Sequence, residues 1–255
     1  MFKPKKSLGQ NFLFDPTLLI RIIDAAQVTS EDTVVEIGPG PGRLTELLAH
    51  RAKKVIAVEL DAELHARLKT GLAGYVNVEL VNMDVLEYPF EQLEPFKVVA
   101  NIPYYITTPI IFRLLEARTK LKSMTLTIQR EVAERIVAPP GGKDYGVLSL
   151  SVQYHTKPTL QFVIPKEAFR PMPKVDSAVV RMEIREKPPV AVNDEKMLFK
   201  IIRASFSQRR KTLSNSLKPL IPECKDLLIQ ANIDPMRRAE TLSIEDFARL
   251  ANLIS

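Results

Sequence analysis

Four consecutive residues, Asn101-Ile102-Pro103-Tyr104, carry the groups needed to hold and activate an aromatic amine. Such an amine is a poor nucleophile, because its lone pair is delocalised into the ring. Acceptors that draw its two N–H groups out of the ring plane localise that pair and aim it at an electrophile. The Asn101 side-chain carbonyl is one acceptor of this kind, and the Ile102 backbone carbonyl is a second. Pro103 has no N–H to donate and stiffens the turn. Tyr104 offers a π-face on which an extruded base can stack. The chemistry suggested is methylation of the adenine amine by in-line displacement at a sulfonium methyl. Alignment would supply much of the rate, with no strong general base. Asn and Pro are also ordinary turn residues, so the surroundings must decide.

A glycine-rich turn precedes this segment. Glu36-Ile37-Gly38-Pro39-Gly40-Pro41-Gly42 places three of the chain's nine glycines between a strand and a helix. Glycines let a backbone turn sharply and approach a ligand closely. The spacing is G-x-G-x-G rather than the dinucleotide fingerprint G-x-G-x-x-G, and there is no G-x-x-x-x-G-K-[ST] phosphate loop. Three acids fall at successive strand ends: Glu36, Glu59 and Asp84. The carboxyl edge of an open α/β sheet is where ligands bind. Glu59 would take ribose hydroxyls, as it also would for NAD, and Asp84 would accept from an adenine amine. Together the acids favour a nucleoside cofactor.

The elements that must position these groups follow from periodicity. Strands are predicted over 33–37, 55–58, 76–81, 96–102 and 124–128. Helices between them contain Leu44, Leu47 and Leu48, then Leu64 and Leu68 behind a capping Asp61, then Ile111, Leu114 and Leu115 with Pro109 in the first turn. Alternation of this kind implies a mostly parallel, Rossmann-like sheet with helices on both faces. Beyond Pro139-Pro140-Gly141-Gly142 the spans 148–155, 160–164 and 178–184 read as strands that close the sheet in antiparallel pairs. Lys187-Pro188-Pro189 breaks the chain, giving a methyltransferase-type domain over 1–188 and a small all-helical domain over 189–255. The latter has helical periodicity at 195–206, 210–217, 224–231 and 243–253.

Composition limits the partners. The 255 residues carry a formal net charge of +6 and 45% hydrophobic residues, enough for a sizeable core. From Lys200 to Lys218 there are six basic residues and no acid; Lys3, Lys5 and Lys6 form a second cluster. Such patches suit a phosphate backbone. The lone Cys224 excludes an intramolecular disulfide, and with three histidines no metal site is expected. No stretch reaches the ~18 apolar residues of a membrane span. The basic N-terminus lacks the apolar run of a signal peptide, so the expected compartment is the cytoplasm.

Taken with their flanks, these motifs resemble the ribosomal RNA small-subunit adenine N6,N6-dimethyltransferase family, over nearly the whole chain. Residues 5–13 (KKSLGQNFL) are similar to its N-terminal motif, Glu36 to Gly42 to its glycine loop, and Asn101 to Tyr104 to its catalytic motif. Residues 143–146 (KDYG), 169–177 (FRPMPKVDS) and 206–213 (FSQRRKTL) resemble three later motifs. The resemblance implies S-adenosylmethionine as cofactor and S-adenosylhomocysteine as product. It places cofactor contacts at Asn11, Leu13, Gly38, Gly40, Glu59, Asp84 and Asn101. Catalysis falls to Asn101, Ile102, Pro103 and Tyr104, with Phe169 packing near the target base. RNA contacts fall at Lys5, Lys6, Arg209, Arg210 and Lys211. The implied substrate is a pair of adjacent adenosines in the 3′-terminal hairpin of small-subunit rRNA, each dimethylated during ribosome biogenesis, by a monomer acting on a pre-ribosomal small subunit. Two alternatives stay open: a large-subunit rRNA adenine methyltransferase conferring macrolide resistance, and a non-catalytic RNA-binding assembly factor.

Overall fold

The computed structural model describes residues 5, 8–208 and 210–254. They fall into two compact units, Met1–Ala133 with Lys157–Ile184, and Glu134–Thr156 with Arg185–Ser255.

The first unit is built on a seven-stranded sheet. Its strands are β2 (Thr33–Ile37), β3 (Lys54–Glu59), β4 (Val78–Asn82), β5 (Phe96–Asn101), β6 (Leu121–Gln129), β7 (Thr156–Ile164) and β9 (Ser177–Ile184). The spatial order is β4-β3-β2-β5-β6-β9-β7. β4, β3, β2, β5 and β6 run parallel, and β9 pairs antiparallel with β6. Two short strands, β1 (Phe12–Leu13) and β8 (Phe169–Arg170), pair separately. The chain order reverses at β2, which lies between β3 and β5. A crevice at the carboxyl ends of strands beside such a reversal is the usual ligand position.

Helices α2 (Arg43–Ala49), α3 (Ala62–Gly71) and α4 (Thr107–Glu116) fall where periodicity places them. Asp61 caps α3 by accepting from Glu63 N at 3.0 Å. Helix α1 (Pro16–Ala26) adds to the predicted elements, and its signals are present in the sequence. Asp15 accepts from Thr17 N and Leu18 N, and Pro16 occupies the first turn. Leu19, Ile22, Ile23 and Ala26 form its buried stripe, packed with Val34, Val99 and Val179.

The second unit is helical. It holds the second half of the boundary helix α5 (Arg130–Val137), then α6 (Val147–His155), α7 (Glu195–Phe206), α8 (Leu213–Leu217), α9 (Cys224–Gln230) and α10 (Ile244–Asn252). The expected strand at 148–155 is therefore a helix. Leu148-Ser149-Leu150-Ser151-Val152 alternates as a strand would, yet all five residues are buried. A helix sealed on nearly every side has no polar face to announce a period of 3.6. Its serines act locally instead: Ser149 Oγ donates to Arg135 O at 2.5 Å and accepts from Gly146 N at 3.1 Å. Leu150 and Tyr154 share one core with Leu198, Ile201, Leu228 and Phe247. No helix among the described residues is long and apolar enough to cross a membrane.

Candidate active site

A solvent-open cavity with about 790 Å³ of empty space lies at the carboxyl edge of the parallel strands. It is lined by Asn11 from the N-terminal segment, Gly38 and Gly40 from the loop after β2, and Glu59 at the end of β3. Asp84 from beyond β4 and Asn101, Ile102, Pro103 and Tyr104 from the end of β5 complete the set. Nine residues singled out from the sequence thus meet in one place.

The glycine loop shows why it must be glycine. Gly40 has φ of +56°, and a Cβ there would stand 2.7 Å from the Phe12 ring. At Gly38 an added Cβ would meet nothing within 4 Å, so backbone rather than side chain bounds the cavity there.

Glu59 is 5% exposed and is held by two backbone donors, Asp61 N to Oε1 at 2.9 Å and Gly40 N to Oε2 at 3.3 Å. Burial raises its pKa more than these N–H groups lower it. A carboxylate has about four lone-pair sites, so it keeps accepting capacity beyond its backbone donors. Asp84 accepts from Leu86 N at 2.9 Å, which fixes its carboxylate beside the cavity. Arg113 of α4 holds the loop that follows, donating to Leu86 O, Tyr88 O and the Glu91 carboxylate.

Asn101 Nδ2 donates to the Asn11 backbone carbonyl at 2.9 Å. This settles the amide orientation and leaves Oδ1 as the accepting end. Ile102 N donates to Thr127 O at 3.1 Å, so the peptide that precedes the Ile102 carbonyl is fixed by β6. The Tyr104 hydroxyl shares a 2.8 Å hydrogen bond with Ser177 Oγ, a fully buried residue of β9. Burial raises the phenol pKa, Asp176 adds to this, and the Ser177 bond opposes it. The ring is therefore a neutral, tethered face rather than a base.

Other residues read from the sequence lie elsewhere. Leu13 and Phe169 are paired across β1 and β8, are 5% and 1% exposed, and pack in the apolar core rather than lining the cavity. Glu36 lies one residue inside β2 and is 1% exposed, with Oε2 unpartnered. Burial pushes its pKa up to about 8; the Thr45 hydroxyl opposes this without meeting full hydrogen-bond geometry, and Glu59 adds to it. Lys5 Nζ meets Asp61 Oδ1 at 2.7 Å. Arg210 and Lys211 are exposed, while Lys6 and Arg209 lie outside the described residues. Sequence reasoning missed Ser177 and Asp61 as supports, since neither partnership is visible without the fold. No group of three or more His, Cys, Asp or Glu among the described residues is arranged to hold a metal ion.

Comparison with known proteins gives the family. A profile described as ribosomal RNA adenine dimethylase matches residues 1–255. The chain belongs to the ribosomal RNA adenine dimethylase family. It is 48% identical to proteins named ribosomal RNA small subunit methyltransferase A from Bacillus mycoides and Bacillus pumilus, covering 99% of this chain and 92% of each relative. Among solved structures it is similar to a dimethyladenosine transferase from Plasmodium falciparum, with a TM-score of 0.83 and 30% identity over 94% of this chain and 95% of that one. It also resembles the 23S rRNA methyltransferase ErmE, with a TM-score of 0.74 and 30% identity over 94% of this chain and 97% of that one. The fold is that of Rossmann-like methyltransferases, and the chain is an S-adenosylmethionine-dependent methyltransferase of adenine in ribosomal RNA.

The cavity fits that cofactor. Glu59 has accepting capacity left beyond its backbone donors, which suits a ribose hydroxyl. Leu60, Met83, Val85 and Ile110 give apolar faces beside the Asp84 acceptor, as a base requires. The open wall at Gly38 leaves room for close backbone approach.

Proposed function

We propose that the chain dimethylates N6 of two adjacent adenosines in the 3′-terminal hairpin of small-subunit rRNA during ribosome biogenesis, as a cytoplasmic monomer acting on a pre-ribosomal small subunit. The observation that carries the chemistry is the Asn101 amide, pinned by Asn11 with its oxygen left as acceptor, beside Tyr104 in a cavity suited to a nucleoside. The choice of RNA is supported by the relatives at 48% identity, which are named for the small subunit.

Glu59 would hold the ribose, Asp84 the adenine amine of the cofactor, and Gly38, Gly40, Asn11, Leu13 and Asn101 the remainder, Leu13 through its backbone since its side chain is sealed in the core. The bound cofactor supplies an electrophilic sulfonium methyl. The residues of the chain do the rest. Asn101 Oδ1 and the Ile102 carbonyl accept the N–H groups of the target amine and localise its lone pair. Tyr104 stacks on the base, its ring angle held through Ser177. Pro103 presents no competing donor. Phe169, sealed beneath β1, supports the segment that carries Asn11 rather than touching the base. The catalytic residues all precede 188, and RNA contacts are assigned to the helical residues 189–255 through Arg209, Arg210 and Lys211, with Lys6 contributing from the N-terminal segment.

The similarity to a 23S rRNA methyltransferase keeps the large subunit as the second reading. Primer extension on both rRNAs from cells lacking this protein separates them. Loss of the reverse-transcription stop at the small-subunit hairpin is expected. A stop lost from large-subunit rRNA instead would overturn the assignment.

A further inference from the structure

The N-terminal segment joins the cofactor wall to the catalytic amide. Leu8, Gly9, Gln10, Asn11 and Phe12 all line the cavity. At one end the segment is fastened to the start of α3: Lys5 Nζ donates to Asp61 Oδ1 at 2.7 Å and Gln10 Nε2 to Asp61 Oδ2 at 3.2 Å. Lys5 N donates to Gln10 Oε1 at 2.7 Å, which closes the two grips into one ring. At the other end the Asn11 carbonyl accepts from Asn101. Asp61 is itself tied to the cofactor wall, because its N–H donates to Glu59. Between the ends, the Tyr105 ring packs on Gly9 so closely that a Cβ there would sit 3.1 Å away.

We propose that Lys5, Gln10 and Asp61 form a latch that holds residues 8–13 against the cavity, and that through Asn11 this latch positions the Asn101 amide for catalysis. The Asp61 side chain is wholly buried, whereas Lys5 keeps 43% of its side chain exposed. In the closed arrangement the carboxylate accepts charge-assisted hydrogen bonds from both Lys5 and Gln10, and these bonds favour it. The exposed lysine end is the part that can release. Releasing it frees the segment and removes the partner that orients Asn101. Enclosing the cofactor and setting the catalytic acceptor thereby become one event. Lys5 is on this reading a positioning residue rather than a phosphate contact. Burial alone would raise the pKa of Asp61, but the hydrogen bonds from Lys5 and Gln10 hold it below the usual carboxylate range.

The latch rests on the cavity being the cofactor site, not on which RNA is methylated. Its test therefore begins without RNA. Calorimetry with S-adenosylhomocysteine and amide hydrogen exchange over residues 8–13 are measured on the full chain as Lys5→Met, Asp61→Asn, Gln10→Leu and the Lys5→Met/Asp61→Asn double variant. Asparagine caps a helix as well as aspartate, so Asp61→Asn preserves the start of α3. Each single change is expected to weaken binding roughly tenfold, as loss of a charge-assisted hydrogen bond does, and to speed exchange in the segment. The double variant should be no worse than the worse single one. Single-turnover methylation at saturating cofactor should also slow, with Lys5→Arg restoring it.

A phosphate contact predicts the opposite pattern. Lys5→Met would then weaken only RNA binding, and Asp61→Asn would leave cofactor binding and exchange unchanged. That pattern overturns the latch. Absence of S-adenosylhomocysteine binding by the unaltered chain would overturn the cavity assignment and the latch with it.

Discussion

Asn101 shows how much one hydrogen bond can decide. An asparagine offers a donor end and an acceptor end of nearly equal size, and only the acceptor can localise an amine lone pair. The Asn11 carbonyl occupies the donor end. Asn101→Ala is expected to retain the fold, because the residue is half-buried and the hydrogen bond it gives up lies at the cavity wall rather than in the core. Methyl transfer should fall by at least ~100-fold, the usual loss on removing one group that stabilises a transition state. A radiolabelled methyl-transfer assay checks this, and full activity would end the amine-acceptor mechanism. Glu36 gives a second residue-scale prediction. Its pKa is near 8 in the fold against 4.5 in an unstructured chain. A carboxyl raised in the fold disfavours folding once the unfolded chain ionises. Glu36→Gln should therefore not change stability below about pH 4.5, should stabilise increasingly up to about pH 8, and should hold that gain above it. Urea unfolding at fixed pH values measures this, and a gain that does not vary with pH would refute it. At this scale the cavity set is legible in the sequence, because strand-end acids and a glycine turn constrain each other. Glu36 is the penultimate residue of its strand, as the sequence places it, but β2 is a central parallel strand buried on both faces, so the carboxyl is sealed in rather than set at the edge. The sealing of Leu13 and Phe169 is invisible in the sequence, since the strand that pairs them is two residues long.

At the scale of elements, the parallel strands and the helices between them are legible because each helix keeps a polar face. The failure at α6 has the converse cause: burial on all sides removes the period that identifies a helix. The amino ends of β2 and β5 depend on a device that no periodicity reveals. Lys97 of β5 donates to Asp32 Oδ2 at 2.8 Å and to Gln27 O at 2.6 Å, with side chains 13% and 6% exposed for the lysine and aspartate. Thr29 also donates to the same carboxylate from its N–H and its hydroxyl. Removing Lys97 leaves the carboxylate with the Thr29 donors and a looser ion pair, Lys122 Nζ at 3.7 Å from Oδ1, and breaking a buried pair of this kind costs up to about 3 kcal/mol. Lys97→Met should lower the unfolding free energy by about that amount, and adding Asp32→Asn should recover most of it. Burial raises the pKa of Asp32, but the bonds from Lys97 and Thr29 bring it below 3.8 overall. The contribution of the pair is therefore fully present above that value and is lost as pH falls through the lowered one. Equilibrium denaturation of the single and double variants is the measurement. A double variant as unstable as Lys97→Met alone would show that the aspartate is not the group left stranded.

For the whole molecule, the cavity belongs to the first unit and the longest acid-free basic stretch to the second. Lys200, Arg203, Arg210, Lys211 and Lys218 are all exposed, and no acid interrupts them in sequence. Surface cations of this kind contribute little to folding. Each one that neutralises a phosphate releases counterions, so its worth is read from the salt dependence of RNA binding. A helical stretch of rRNA is A-form, with a major groove that side chains cannot read, and phosphate contacts there give affinity and register rather than sequence. On the proposed function, selection of the adenosines falls to the base pocket at Asn101 to Tyr104. This division of labour makes a testable separation. Arg209, Arg210 and Lys211 changed together to Ala should weaken RNA binding and lower the slope of log affinity against log salt by roughly 0.7–0.9 for each phosphate no longer neutralised. S-adenosylhomocysteine binding in the absence of RNA should stay at its unaltered value, because the cavity is built without these residues. Filter binding across a salt series, paired with calorimetry on the same preparation, gives both readings. An unchanged salt slope would exclude the stretch as a phosphate contact. A loss of cofactor binding instead would mean that the basic stretch supports the fold of the first unit rather than the grip on RNA.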